Sequence, residues 1–186
     1  MRKNKKQKTR EPQVSETIKE KFIKYFEVNK HLKLVFENRR QMCPDANTCS
    51  FEEFLNKYWW KKLNNYISGK FKRDIRNTWK GVTKDNFFAW YLDKMKNGCY
   101  YCEQDSIILA LSSKKRKFPE KPHGKPRRFL EVDRLNNDNG YEKSNCVLAC
   151  YPCNNAKSDV FDESEFRIIG KAIRRIWKEY QHKLFY

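Results

Sequence analysis

Apolar side chains first fall into a helical rhythm at Ile18, Phe22, Tyr25 and Phe26, the i, i+4, i+7 and i+8 positions of one face, with Lys19, Glu20 and Lys24 outside it. The spacing predicts an amphipathic helix starting near Ser15. A loop around Cys43, Pro44 and Asp45 interrupts the rhythm. Ser50-Phe51-Glu52-Glu53 then has the S-x-x-E form in which a serine hydroxyl and a glutamate cap each other's backbone amides. A second helix is expected from there, with Phe51, Phe54, Leu55, Tyr58, Trp59, Leu63, Tyr66 and Ile67 as a wide core-facing stripe and Lys57, Lys61 and Lys62 beside it. Residues 69–84 are basic and contain Gly69 and Gly81, which suits a connector or a short surface helix. A third helix is expected from about Asp85 to Lys96, packing Phe87, Trp90, Tyr91 and Met95 and stopping at Asn97-Gly98.

Past Gly98 the helical period gives way to short runs. Phe129 to Leu135 alternates as a strand, Asn136-Asn137-Asp138-Asn139-Gly140 is dense in turn formers, and Asn145 to Ala149 reads as a second short strand. Cys153 to Lys157 opens a helix, and after Asp162 a last helix carries Phe166, Ile169, Ile173 and Trp177 on one face. The class is therefore α+β, mostly helical, with one small strand–loop–strand–helix unit. The expected organisation is a basic arm over residues 1–13, a helical basic region over 14–97, the small unit over 98–160 and a C-terminal helix over 161–186 packed on the core.

Charge adds a partner to this outline. With 41 Lys+Arg against 23 Asp+Glu, the chain of 186 residues carries a formal charge of +18, which calls for a polyanion. The length allows one domain or one domain with an extension. Thirteen Phe, ten Tyr and five Trp argue against a disordered chain. No apolar run approaches the roughly 18 to 20 residues of a membrane span, and the first residues lack the apolar stretch of a signal peptide. A soluble intracellular protein with no membrane partner is expected. Positive charge is concentrated in the arm (Arg2, Lys3, Lys5, Lys6, Lys8, Arg10) and in Lys114 to Arg128, where Lys114, Lys115, Arg116, Lys117, Lys125, Arg127 and Arg128 lie among three prolines. Such an irregular basic segment can follow a phosphate backbone without reading sequence.

Seven cysteines are an odd number, and an intracellular compartment is reducing, so a disulfide framework is not expected. Cys99-Tyr100-Tyr101-Cys102 and Cys150-Tyr151-Pro152-Cys153 are two C-x-x-C pairs. Each can aim two thiolates at one ion, and together they complete the closed four-sulfur shell of a structural zinc. Cys146 reads as strand packing. Cys43 and Cys49 would need two further ligands to hold a second metal.

Val132-Asp133-Arg134-Leu135, Gly140-Tyr141 and the run from Asn145 through Cys150, Cys153 and Asn154 to Lys157, together with Gly98 to Cys102, resemble the HNH endonucleases. The likeness is strongest to the phage and mobile-element branch and covers roughly residues 96–166. It implies a ββα-metal finger braced by the four-cysteine zinc, and hydrolysis of phosphodiester bonds in double-stranded DNA, with RNA as a possible partner. The family's roles would fall on Asp133 and Asn154 as ligands of Mg²⁺ or Mn²⁺, on Asn145 as the residue fixing the loop, and on Lys157 as a phosphate contact. Arg134 stands where most members have a water-activating histidine. Arginine stays protonated, so it can clamp a phosphate but cannot act as an ordinary base. Glu131, His123, or a metal-bound hydroxide would then have to serve, with Tyr141 or Tyr151 assisting. The alternative is a catalytically silent, zinc-stabilised module that binds DNA or RNA. The sequence leaves the oligomeric state and the biological setting (homing, restriction or phage DNA processing) open.

Overall fold

The structure, a computed structural model, describes residues 14–27, 33, 36–37, 50–106 and 129–185, without the side chains of 56–58 and 180–185. Cys43, Cys49, His123, the basic arm and the Lys114 to Arg128 segment lie outside the described residues.

Helix α1 (Glu16–Glu27) buries Ile18, Phe22 and Phe26, as its spacing requires. The Ser50 capping box forms with both reciprocal bonds at 3.1 Å, and starts a continuous helical run. That run is α2 (Phe51–Glu53), a π-helical stretch Phe54–Trp60, α3 (Lys61–Lys70) and a second π-helical stretch Phe71–Ile75. The wider π turn explains why buried Leu55 and Trp60 stand five residues apart yet both face the core. Gly69 does not break the helix, and the run continues to Ile75, which is fully buried. Residues 69–75 are thus a core-packed helix end where composition suggested a connector or a short surface helix. The apolar positions Ile67, Phe71 and Ile75 outweigh the propensity cost of one glycine, about 1 kcal/mol.

Helix α4 (Lys84–Met95) is capped by Thr83, whose hydroxyl accepts from the Asn86 amide. It buries Phe87, Phe88, Trp90, Tyr91, Leu92 and Met95. Trp79 meets Phe87 and Trp90 edge-on at 5.5 and 5.0 Å, so the helical layer is an aromatic core. The Tyr91 hydroxyl donates to Leu130 O at 2.7 Å and ties α4 to the start of the sheet.

Strands β1 (Glu131–Arg134) and β2 (Cys146–Ala149) pair antiparallel, with Asp133 opposite Val147 and Arg134 opposite Cys146. Helix α5 (Tyr151–Lys157) packs on β1, and α6 (Glu163–Phe185) packs on α5. The observed class is the expected one, mostly helical with a two-stranded finger. Buried side chains from α1 through α6 form one continuous cluster. No described helix is long and apolar enough to cross a membrane.

Gly98 closes α4 at φ +72°, and a Cβ there would lie 2.6 Å from Gln104 O. Gly98→Ala is expected to cost at least about 2 kcal/mol, from the left-handed backbone and the clash together. Gly140→Ala, where a Cβ meets nothing within 4 Å, should change stability by less than about 0.5 kcal/mol. Denaturant unfolding of the two variants checks the contrast.

Candidate active site and metal centre

Cys99, Cys102, Cys150 and Cys153 are fully buried, and their four sulfur atoms lie within 4.8 Å of one another. They form a group that can hold one metal ion. The first knuckle follows the α4 turn. Its Tyr100 amide bonds Leu148 O of β2 at 2.8 Å, and the Cys150 amide points at Cys99 Sγ at 3.2 Å. The second knuckle is the junction between β2 and α5. Burial opposes ionisation of Cys99, but hydrogen bonds from the other thiols hold it well below the ordinary thiol range. Hydrogen bonds from the same neighbours push Cys150 well up. Four thiols this close cannot all carry charge without a cation among them. Cys146 stands apart from the group, and burial raises its thiol to about 12.

Beside this centre, β1 presents Glu131 and Asp133 two residues apart, hence on one face. Helix α5 runs across that face in the same direction, so that Asn154 meets Glu131 and, one turn on, Lys157 meets Asp133. Asn154 Nδ2 donates to Glu131 Oε2 at 2.7 Å, which orients the amide and leaves its carbonyl oxygen as an acceptor. Lys157 is 0% exposed. Its Nζ donates to Arg134 O and to Asn137 Oδ1, both at 3.0 Å, and stands 3.9 Å from Asp133 Oδ2. Asp133, 8% exposed, also accepts from the Tyr101 hydroxyl on Oδ2 at 2.7 Å. Burial raises the Asp133 carboxyl above its ordinary range, opposed by the Tyr101 hydrogen bond and the Lys157 charge. The Tyr101 phenol is held far above its ordinary range, by burial first and then by the Asp133 charge and hydrogen bond, so it remains a donor.

The loop between the strands is tied by Asn145. Its Oδ1 accepts from the Asn136 amide at 2.9 Å, and its Nδ2 donates to Asn136 O at 2.9 Å and Gly140 O at 3.0 Å. One side chain thus replaces the backbone ladder that a five-residue turn of Asn, Asp and Gly cannot make for itself. Arg134 Nη1 donates to Asn137 O at 2.9 Å, its guanidinium lies over the Tyr141 ring at 5.3 Å, and Nη2 is 3.4 Å from Asp159.

No protein-family model and no curated protein matches the chain. Among solved structures, the chain is similar to the rare-cutting HNH restriction endonuclease PacI, with a TM-score of 0.50 and 28% identity, over 63% of this chain and 78% of that one. The likeness joins a buried four-cysteine group and a two-stranded finger in one chain. The chain therefore resembles the HNH endonucleases in fold.

Within the two-stranded finger, Lys157 links Asp133 to Arg134 O and Asn137, Arg134 and Asn145 share the carbonyl of Asn139, and the Glu131–Asn154 pair lies beside them. Two of them are placed differently from the expectation. Lys157 does not reach outward to a phosphate: α5 packs flat on β1, and the side chain threads inward to the Asp133 carboxylate and the loop. Glu131, 5% exposed, is the acceptor that orients Asn154. His123 lies outside the described residues, as do the seven basic residues from Lys114 to Arg128. Tyr101 is the site residue that sequence reasoning missed. It sits inside the first C-x-x-C pair, where the cysteines drew all the attention, and only the fold places it 2.7 Å from an aspartate 32 positions later.

Proposed function

We propose that this chain is an HNH-type, divalent-metal-dependent endonuclease that hydrolyses phosphodiester bonds in double-stranded DNA, with zinc in the four-cysteine group as a structural staple. The observation that supports the reading is the packing of α5 on β1, which puts Asp133 and Asn154 on facing elements, each oriented by a buried partner, Tyr101 for Asp133 and Glu131 for Asn154. Both offer hard oxygen donors, which suit a partly hydrated Mg²⁺ or Mn²⁺ better than zinc. Zinc suits the thiols: at a Zn–S distance of roughly 2.3 Å, neighbouring sulfurs of a tetrahedron stand about 3.8 Å apart, and Cys102 and Cys150 are 3.7 Å apart.

When bound, the divalent ion supplies Lewis-acid stabilisation of the charge that develops on the phosphate. The protein's own residues arrange the rest. Tyr101 and Lys157 fix the carboxylate, Glu131 fixes the amide, and Asn145 fixes the loop that borders them. Arg134 can clamp a phosphate oxygen. Its pairing at 3.4 Å with Asp159, a side chain 81% exposed, is weak enough for a phosphate to replace. Glu131, which gives only Oε2 to Asn154, His123 and a metal-bound hydroxide are the candidates for taking a proton from water. Lys171, Arg175 and Lys178 on the exposed side of α6, together with the Lys114 to Arg128 segment, add salt-dependent attraction to the backbone.

Supercoiled plasmid incubated with the zinc-loaded protein is expected to be nicked or linearised with Mg²⁺ or Mn²⁺ and to stay intact without a divalent ion. Plasmid that is bound but uncut under every divalent ion overturns the catalytic reading. That outcome selects a silent binding module, the alternative favoured by Arg134 standing in the usual histidine position. Competition with structured RNA separates the two polymers.

A further inference from the structure

The Tyr101 side chain is held from every direction. It lies between two cysteines of the metal group, and its ring meets Phe166 of α6 edge-on at 5.0 Å and 88°. Gly170, one turn after Phe166, lets the α6 backbone lie against it: a Cβ at Gly170 would stand 2.6 Å from Tyr101 O. The residue is 4% exposed, and its one polar atom is spent on Asp133 Oδ2 at 2.7 Å. A buried phenol that donates to a carboxylate fixes which oxygen remains for other partners. Asp133 Oδ1 takes no hydrogen bond from a described side chain.

From this we infer that Tyr101 is a positioning residue for the active site, through which the four-cysteine centre and α6 set the direction of the Asp133 carboxylate. The inference rests on the reading of Asp133 as a ligand of the divalent ion. Ion binding in the finger then depends on the integrity of the cysteine centre through one hydroxyl, and the two metal sites are coupled although they share no ligand. Residues that orient metal ligands in this way are worth about 10- to 100-fold in metal affinity.

Tyr101→Phe keeps the ring, and therefore the packing on Phe166, and removes only the donor. In zinc-loaded protein, Mn²⁺ titration followed by electron paramagnetic resonance of the free ion is expected to show affinity falling about tenfold in Tyr101→Phe, with zinc content still at one per chain. Gly170→Ala leaves the hydroxyl in place but presses on the Tyr101 backbone, and should weaken Mn²⁺ in the same direction. Wild-type Mn²⁺ affinity in both variants overturns the inference. A second measurement needs no Mn²⁺. Unfolding of wild type, Tyr101→Phe, Asp133→Ala, which removes the acceptor, and the double variant should show non-additive losses, whereas additive losses overturn the contact. Non-additive unfolding in a protein whose Mn²⁺ affinity is untouched by Asp133→Asn would sink the ligand reading of Asp133 and leave the contact standing, so the two failures are distinguishable.

Discussion

Cys150→Ser is expected to abolish metal binding at the four-cysteine centre and to lower the unfolding temperature by roughly 10 °C or more. Cys150 is the N-cap residue of α5 and directly follows β2, so one sulfur ties a strand, a helix and the first knuckle to a common point. Structural zinc contributes on the order of 10 kcal/mol of binding free energy in small zinc domains. Losing even half of it, at roughly 2–4 °C per kcal/mol for a chain of this size, gives the stated shift. Cys146→Ala is the matching control. Cys146 is as well buried but lies outside the cluster, so metal content should stay at wild-type level and the stability loss should be about 1 kcal/mol. Metal analysis and thermal unfolding of the two variants decide the matter; equal melting temperatures would show that the centre is not a staple.

Asp133→Asn is the second large effect. The substitution keeps the shape of the side chain and an acceptor for the Tyr101 hydroxyl, and removes the negative charge that would face the ion. At an effective dielectric constant of about 20, a unit charge at close range contributes at least about 3 kcal/mol, which corresponds to roughly a hundredfold in rate. Plasmid nicking is therefore expected to fall at least about a hundredfold, while salt-sensitive DNA binding changes little, because the basic surfaces are untouched. Undiminished nicking by Asp133→Asn would place the chemistry elsewhere in the chain.

Much of this could be read from local pattern. The Ser50 capping box, the α1 stripe, the two strands and the α5 and α6 helices all follow from interactions within a few residues, and they form where their spacing places them. The cysteine centre was legible for the same reason. A C-x-x-C pair is a local geometric device, and two of them need only one ion to meet. The 69–75 segment was not legible, because its basic composition points to solvent whereas Ile67, Phe71 and Ile75 pack on an aromatic layer that the sequence does not place. Lys157 shows the same limit. A lysine after an Asn-Asn-Ala run reads as exposed charge, and burying it is tolerable only because Asp133, Arg134 O and Asn137, some 20 residues earlier, are there to meet its protons.

The sequence by itself therefore determined the class of the fold, the four thiols that meet in one group able to hold an ion, and the spacing of Asp133, Asn145 and Asn154. Those are features of periodicity and short-range chemistry. The tertiary structure decided which groups hold which. It turned Lys157 inward, gave Glu131 to Asn154, and set the Tyr101 hydroxyl on Asp133. Each of these is a contact between segments far apart in sequence, and it forms because a desolvated charge or donor needs a partner that only packing can bring to it.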